Sequence, residues 1–182
     1  MPSPAGDPTY IKNKDRYFIS VAEAVSKAST HPRSPGGCII VRGREIIGDG
    51  RSLLTDSKVE VDCISYAIAS AARNGTAAIG SVIYSTRYPF STAVFQAHLM
   101  GISKIIISAH DWEPYYKDEF RKAARLSREL KISIEPIFTD EDQRFSTNAN
   151  DREIDSVLFT ETNPFAPDEY DPNDATTSLD EN

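Results

Sequence analysis

Residues 81–107 read SVIYSTRYPFSTAVFQAHLMGISKIII and contain two apolar strands with one helix between them. The runs SVIYST at 81–86 and SKIIIS at 103–108 are short, apolar and rich in β-branched residues, which is typical of buried strands. Residues 90–100 have the length of a helix, and Gly101 supplies its C-terminal stop. The stretch therefore predicts a β-α-β unit with parallel strands and a right-handed crossover.

Upstream of this unit, the sequence predicts a helix, a β-hairpin and a second helix. From Asp15 onward, apolar residues recur at three- and four-residue spacing over residues 18–28, which indicates an amphipathic helix that His31 and Pro32 end. Two β-rich runs, CIIVR at 38–42 and EIIGDG at 45–50, are separated by only two residues and predict a hairpin. A second apolar helical face follows over residues 61–73.

Downstream, residues 116–130 predict a further helix and residues 132–138 a fifth strand. The predicted order is α-β-β-α-β-α-β-α-β. Strands that alternate with helices indicate a sheet covered by helices on its faces. Because the hairpin is antiparallel and the later strands are parallel, we expect a three-layer α/β/α fold around a five-stranded mixed sheet.

The composition divides the chain into three parts. Residues 1–9 carry three prolines and one glycine and predict a flexible lead-in to a domain over residues 10–140. Residues 141–182 hold 12 acidic and 2 basic side chains, a balance of −10, so the net charge of −7 leaves +3 for residues 1–140. With one short apolar patch at 157–159, this acidic tail is expected to be poorly ordered.

Several classes of function are excluded by what the sequence lacks. No apolar run approaches the ~20 residues that span a bilayer, so we expect a cytoplasmic protein without membrane association. No Lys/Arg cluster carries interleaved aromatics, so we expect no generic nucleic-acid surface. The two cysteines, Cys38 and Cys63, lie in apolar segments and are expected to be buried, reduced thiols.

The element order and four stretches of sequence resemble the cytidine/deoxycytidylate (CMP/dCMP) deaminase family, the deoxycytidylate branch in particular. The stretches are STHPRSPGGCIIVRGREIIGDG at 29–50, AIASAARNG at 67–75, the unit at 81–107, and WEPYYKDEFRKAARLSRELKISI at 112–134. The resemblance implies a cytidine deaminase-like fold and association through helix faces near the family's zinc site.

The resemblance also implies that the zinc site has degenerated. Such enzymes bind zinc with an H-x-E motif at the start of one helix and a P-C-x-x-C motif at the start of the next. On the matching positions of this chain, Asp62 replaces the histidine and Ile64 the catalytic glutamate, while Phe90 and Ala93 replace the cysteines. We therefore expect no catalytic residue from this motif, no zinc and no other cofactor.

The four replacements predict a re-packed site. Ile64, Phe90 and Ala93 are expected to pack together in the core, with Asp62 at the rim as the N-cap of its helix. One alternative stays open, in which Cys63 joins Asp62 on a metal in a rebuilt site.

A nucleotide is the second kind of ligand that the resemblance suggests. Deoxycytidylate deaminases usually carry an asparagine after the second hairpin strand, where this chain offers Ser52, or Arg51, instead of an amide. Arg33, Arg87 and Tyr115, together with Tyr116, are candidates for recognising a phosphate or a base.

The leading hypothesis is a pseudoenzyme: a catalytically inactive deaminase-like protein that acts by binding. Its partners would be copies of itself, in a homo-oligomer, or an active deaminase-fold protein, in a hetero-oligomer, with nucleotide binding as a further reading. The alternative is an active dCMP-type deaminase or hydrolase with an unconventional site.

Overall fold

We describe a computed structural model of the chain, which covers residues 8–108 and 116–137. Four helices and seven strands follow one another within these residues. They are α1 Pro8–Ser26, β1 Gly37–Arg42, β2 Glu45–Arg51, β3 Leu53–Leu54, β4 Glu60–Val61, α2 Cys63–Arg73, β5 Val82–Ser85, α3 Ser91–Leu99, β6 Lys104–Ser108, α4 Lys117–Glu129 and β7 Ser133–Ile137.

Five strands form the central sheet in the order β2-β1-β5-β6-β7. Strand β1 is antiparallel to both β2 and β5, whereas β5, β6 and β7 run parallel. The parallel strands β5 and β6 are mostly apolar and buried because helices cover both of their faces, whereas the edge strand β7 is more exposed. In the paired strands β5 and β6, Ile83 and Ile105 belong to one face, and Tyr84 and Ile106 to the other.

Helix α1 covers one face of the sheet, and α2, α3 and α4 cover the other. Phe18, Ile19 and Ala22 of α1 pack in one core cluster with strand residues that include Tyr84 and Ile106. The larger cluster lies under the other three helices. The predicted fold class, three layers around a five-stranded mixed sheet, is confirmed.

The bounds predicted for the first helix are wrong at both ends. Helix α1 begins at Pro8, so residues 8 and 9 belong to the helix and not to the predicted lead-in. Proline suits the first turn of a helix, where its missing N–H would have no intrahelical partner. The helix ends at Ser26, and the Ser29 hydroxyl then donates to the Ser52 carbonyl at 2.6 Å. Residues 1–7 and the acidic tail at 141–182 lie outside the described residues.

A second hairpin, made of the two-residue strands β3 and β4, was not predicted. Leu53 pairs with Val61 and Leu54 with Glu60, and Lys58 adopts the left-handed conformation in the turn with φ 64°. Strands this short give no alternating pattern that sequence periodicity could detect. The hairpin leads the chain directly from the edge of the sheet to the start of α2.

Helix α2 lies unusually close to strand β2. A Cβ atom at Gly48 would come within 2.6 Å of the Ala67 carbonyl oxygen, and one at Gly50 would overlap the backbone at Cys63 and Ala67. The two backbones therefore pack directly on each other, which only glycine permits. None of the helices within the described residues is both long and apolar enough to cross a membrane.

Candidate functional site

The starts of α2 and α3 meet at the C-terminal end of β5. The Cys63 sulfur, in the first turn of α2, lies 3.6 Å from the hydroxyl of Ser85, the last residue of β5. The Arg87 backbone N–H, in the loop that leads to α3, donates to the same hydroxyl at 3.1 Å. Ser85 therefore joins three elements at the place where the resemblance expects a catalytic centre.

Asp62 is the N-cap of α2, as predicted. Its backbone is extended, and its carboxylate accepts a hydrogen bond from the Ser65 backbone N–H at 3.1 Å. The Cys63 thiol donates to the other carboxylate oxygen at 3.8 Å. Asp62 is partly buried, and burial raises its pKa to about 6, although hydrogen bonds from the Ser65 and Ile64 backbones and the positive charge of Arg87 act in the opposite direction.

Cys63 and Cys38 are fully buried free cysteines, as the sequence predicted. Burial, and then the charge of Asp62, raises the pKa of Cys63 well above its ordinary value, against hydrogen bonds from the Ser85 and Ser52 hydroxyls. Burial likewise raises the pKa of Cys38. Because the thiolate is the nucleophile and the metal ligand, neither sulfur is activated in this environment.

Ile64 and Ala93, at the matched glutamate and second-cysteine positions, are fully buried in the same core cluster. Phe90, at the first-cysteine position, is partly buried and packs against that cluster. Its ring centroid lies 5.2 Å from that of Tyr116 and 6.3 Å from that of Phe120, at the start of α4. One ring of an aromatic cluster and two aliphatic core residues therefore occupy three of the four matched positions.

These residues do not fit a zinc ion. A catalytic zinc site needs three converging protein ligands with an open fourth position. Ile64, Phe90 and Ala93 have no metal-binding side-chain atoms, and Asp62 is engaged as a helix cap. Within residues 8–108 and 116–137, no three His, Cys, Asp or Glu side chains are grouped so that they could hold a metal ion.

Of the residues proposed to recognise a nucleotide, Ser52 and Arg87 come together and Arg33 does not join them. A Cβ at Gly36 would lie 2.6 Å from the Ser52 hydroxyl and 2.9 Å from Arg87 Cδ, so both side chains meet over this glycine. Arg33 is exposed and makes no hydrogen bond or ion pair with the described part of the chain. Tyr115 lies outside the described residues.

The guanidinium of Arg87 also contacts Tyr116. Its central carbon lies 5.7 Å from the centroid of the Tyr116 ring, which is a cation–π distance. Arg87 is partly buried, and its charge is close enough to Asp62 to lower the pKa of that carboxyl. The cation therefore packs against an aromatic ring and lies within electrostatic range of a carboxylate.

The sequence analysis did not predict a series of polar side-chain contacts that connects three separate segments beside the Arg87 guanidinium. The Tyr116 hydroxyl donates to both carboxylate oxygens of Glu60, at 3.0 and 3.1 Å. Glu60 lies 3.4 Å from Nε2 of buried His31, whose Nδ1 accepts the Ser34 backbone N–H at 2.9 Å. The acceptor role of Nδ1 places the proton of neutral His31 on Nε2, facing Glu60. No short-range pattern links positions so far apart in the sequence.

Glu119 of α4 caps helix α3 in place of its own N-cap residue. Phe90 occupies the N-cap position and has no side-chain acceptor. The Ser91 backbone N–H instead donates to Glu119 Oε1 at 2.8 Å, and the Ser91 hydroxyl donates to the same oxygen. A carboxylate at a helix N-terminus is favourable because it faces the positive end of the helix dipole.

The architecture and the position of this site define a cytidine deaminase-like fold, and solved structures agree. The dCMP deaminase of cyanophage S-TIM5 in its apo form superposes with a TM-score of 0.57 at 17% identity, over 72% of this chain and 99% of that one. Its complex with dCMP and dUMP gives 0.58 at 15% identity, over 75% and 100%.

A bifunctional enzyme from Thermotoga maritima is similar over part of its length. Against this diaminohydroxyphosphoribosylaminopyrimidine deaminase/5-amino-6-(5-phosphoribosylamino)uracil reductase the TM-score is 0.59 at 19% identity, over 74% of this chain and 38% of that one. No protein-family model and no curated protein sequence matches the chain. At these identities the similarity establishes the fold.

The raised pKa of Asp62 predicts a pH-dependent effect of Asp62→Asn. Between its ordinary value of 3.8 and about 6, the folded chain binds this proton more tightly than the unfolded chain. The free energy of unfolding of the native sequence therefore falls as pH rises through that window. Asparagine keeps the cap without the charge. We expect the free energy of unfolding of Asp62→Asn to equal that of the native chain near pH 4. At pH 7 it should be higher by about 2 kcal/mol, which is less than the full pKa shift implies because Asp62 is only partly buried.

Urea unfolding at the two pH values measures this difference. Asp62→Ala is the matched control, because it removes the hydrogen-bond acceptor together with the charge. It should be about 1 kcal/mol less stable than Asp62→Asn at both pH values. An Asp62→Asn variant that is less stable than the native chain at pH 7 would show that capping by the charged form outweighs its burial.

Proposed function

We propose that this chain is a catalytically inactive, deaminase-fold protein that acts by binding, either to copies of itself or as the silent partner of an active deaminase. The observation that supports this proposal is what stands at the starts of α2 and α3. A helix cap, two core aliphatics and an aromatic ring take the positions that the resemblance assigns to the zinc ligands and the catalytic glutamate.

The chemistry of deamination explains why these replacements matter. In such enzymes zinc lowers the pKa of a bound water, and a glutamate carries protons between that water and the base. Ile64 has no group that exchanges a proton, and Phe90 and Ala93 have no atoms that bind a metal. Filling the site with apolar side chains keeps the core dense without a buried unpaired charge.

The alternative is an active dCMP-type deaminase or hydrolase that uses an unconventional site. Asp62 favours it, since a carboxyl with a pKa of about 6 exchanges protons near neutral pH, and Cys63 lies beside it. Metal content and turnover separate this alternative from the leading proposal.

We expect the purified full chain to contain less than about 0.1 zinc per chain and to release no ammonia from dCMP, because the site lacks three ligands. Elemental analysis and an ammonia assay, run beside an active dCMP deaminase, measure both quantities. The triple variant Asp62→His/Phe90→Cys/Ala93→Cys restores the ligand types at the matched positions and should gain about one zinc per folded chain.

Circular dichroism establishes that the triple variant is folded before its zinc is counted. If the native chain carries stoichiometric zinc and deaminates dCMP, the proposal of an inactive protein fails. If the native chain is metal-free and the triple variant folds but binds no zinc, the assignment of the four matched positions is wrong.

Helix α3 offers an apolar face for association. Phe95 and Leu99, four residues apart on the same side of the helix, are 49% and 67% exposed. The helix begins at the candidate site, and the resemblance implies association through helices at this place. We propose that this face binds a second copy of the chain.

Light scattering at micromolar concentration should therefore give at least a dimer, and Phe95→Ser/Leu99→Ser should weaken the dimer by about 100-fold or more, since it removes apolar surface from both copies. Val59→Ser, at an apolar residue 57% exposed in the β3–β4 turn, is the matched control and should change nothing. A monomeric native chain would contradict self-association and leave only the heteromeric form of the proposal.

Nucleotide binding is a second candidate function, which the arrangement around Arg87 favours. This cation lies against the Tyr116 ring, and the Cγ and Cδ atoms of the Arg87 side chain approach the Ser52 hydroxyl over Gly36. A cation can pair with a phosphate, and an aromatic ring can stack on a base.

A nucleotide that binds the folded chain must raise its melting temperature. We expect at least one of dCMP, dUMP, CMP and AMP at millimolar concentration to raise it by about 3 °C or more. Arg87→Gln should abolish the shift, whereas Arg73→Gln, at an exposed position at the end of α2, should retain it. The absence of a shift with all four nucleotides would exclude this second function.

A further inference from the structure

The positive charge of the folded part of the chain is concentrated on helix α4. Residues 117–131 contain six basic and three acidic side chains, a balance of +3. This equals the whole surplus of +3 carried by residues 1–140, so the rest of that range is neutral overall. Helix α4 and Lys131 just after it therefore carry a surplus of positive charge equal to that of the whole domain.

The cations lie on the outer side of the helix. Phe120, Ala123 and Ala124 are buried against the sheet. Residues at three-residue spacing share one side of a helix. Lys122, Arg125 and Arg128 are exposed and have this spacing, and exposed Lys131 follows two residues after the end of the helix; we call these four cations the basic stripe.

Most of the basic stripe is not neutralised by its neighbours. Lys122 lies 3.9 Å from Glu119, whose other oxygen already caps α3. Arg125, Arg128 and Lys131 form no ion pair with the described part of the chain. Glu129 is the nearest acidic residue in sequence, and it also forms no ion pair among the described residues. Three cations are thus available to an anionic partner.

We propose that the acidic segment 141–182 binds in cis to the basic stripe of α4. The segment carries −10, the opposite sign to the stripe, and it is the strongest concentration of negative charge in the sequence. Segment and stripe are also close along the chain: β7 packs beside α4 and ends at Ile137, four residues before the segment begins.

The length of segment 141–182 and its covalent attachment to the domain favour this contact. Helix α4 is 13 residues long, or about 20 Å, whereas ten extended residues span roughly 33 Å. The segment can therefore reach the whole stripe. Exposed ion pairs are individually weak, but a tethered segment has an effective concentration in the millimolar range, so several weak pairs together suffice.

An external polyanion such as a nucleic acid is less well matched. The exposed positions of the stripe carry no aromatic side chain on which bases could stack. A nucleic acid would also compete with a segment of the same charge sign that is part of the same chain. The proposal does not depend on whether the protein is an enzyme.

Zero-length cross-linking of the full chain tests the contact, because a carbodiimide joins a lysine amine to a carboxylate only where the two meet. We expect cross-links from carboxylates of 141–182 to Lys122 and Lys131 to exceed those to exposed Lys27 and Lys58 at least fivefold. At 0.5 M NaCl this excess should fall to less than half, because salt screens exposed charges. A mixture of 14N- and 15N-labelled chains should give cross-links only within chains of one label.

Arg125→Gln/Arg128→Gln, which leaves both reporter lysines in place, should lower those cross-links at least threefold. Arg42→Gln/Arg73→Gln, at exposed positions away from the helix, is the matched control and should leave them unchanged. Circular dichroism checks that both variants fold.

Three results would overturn the proposal. Cross-links spread evenly over all exposed lysines would show that the segment has no preferred surface. Cross-links of mixed isotopic label would show binding between chains. The third result comes from fluorescence anisotropy of a labelled, single-stranded 20-nucleotide oligonucleotide. If the full chain binds this oligonucleotide through the basic stripe at 0.15 M salt, the stripe serves an external polyanion.

Discussion

The close approach of β2 and α2 at Gly48 and Gly50 is the constraint on which the site depends. Because the two backbones pack without side chains between them, α2 has little freedom to slide or rotate on the sheet. This contact holds the first turn of α2 against the end of β5, where Cys63 meets Ser85. That placement also sets the position of Asp62, the N-cap of the same helix.

The central architecture could be predicted from sequence because its signals are local and strong. The runs VIY at 82–84 and III at 105–107 are apolar without interruption, and the stop at Gly101 is clear. The β3–β4 hairpin could not be predicted, since two-residue strands carry no periodicity. The end of α1 could not be predicted either: the helix stops before its apolar pattern does, and the Ser29 hydroxyl bonds to the Ser52 carbonyl, which is distant in sequence.

At the candidate site, too, some features could be predicted from the sequence and others could not. The capping role of Asp62 was predictable because a cap involves residues three positions apart. The connection of His31, Glu60 and Tyr116 was not, because it joins a loop, a hairpin and the start of α4 through side chains alone. The same chain of contacts makes Tyr116 a neighbour of both Glu60 and Arg87, so the orientation of α4 influences the charge distribution at the site.

The capping of α3 by Glu119 has a consequence for anions at this site. The N-terminus of a helix normally attracts phosphates and carboxylates through its exposed N–H groups and its dipole. Here the chain supplies that anion itself, from a neighbouring helix. A phosphate arriving at the start of α3 would have to displace Glu119 or bear repulsion from it. Glu119 therefore competes with external anions for the start of α3. Arg87, and not the end of the helix, remains as the group at the site that can attract an anion.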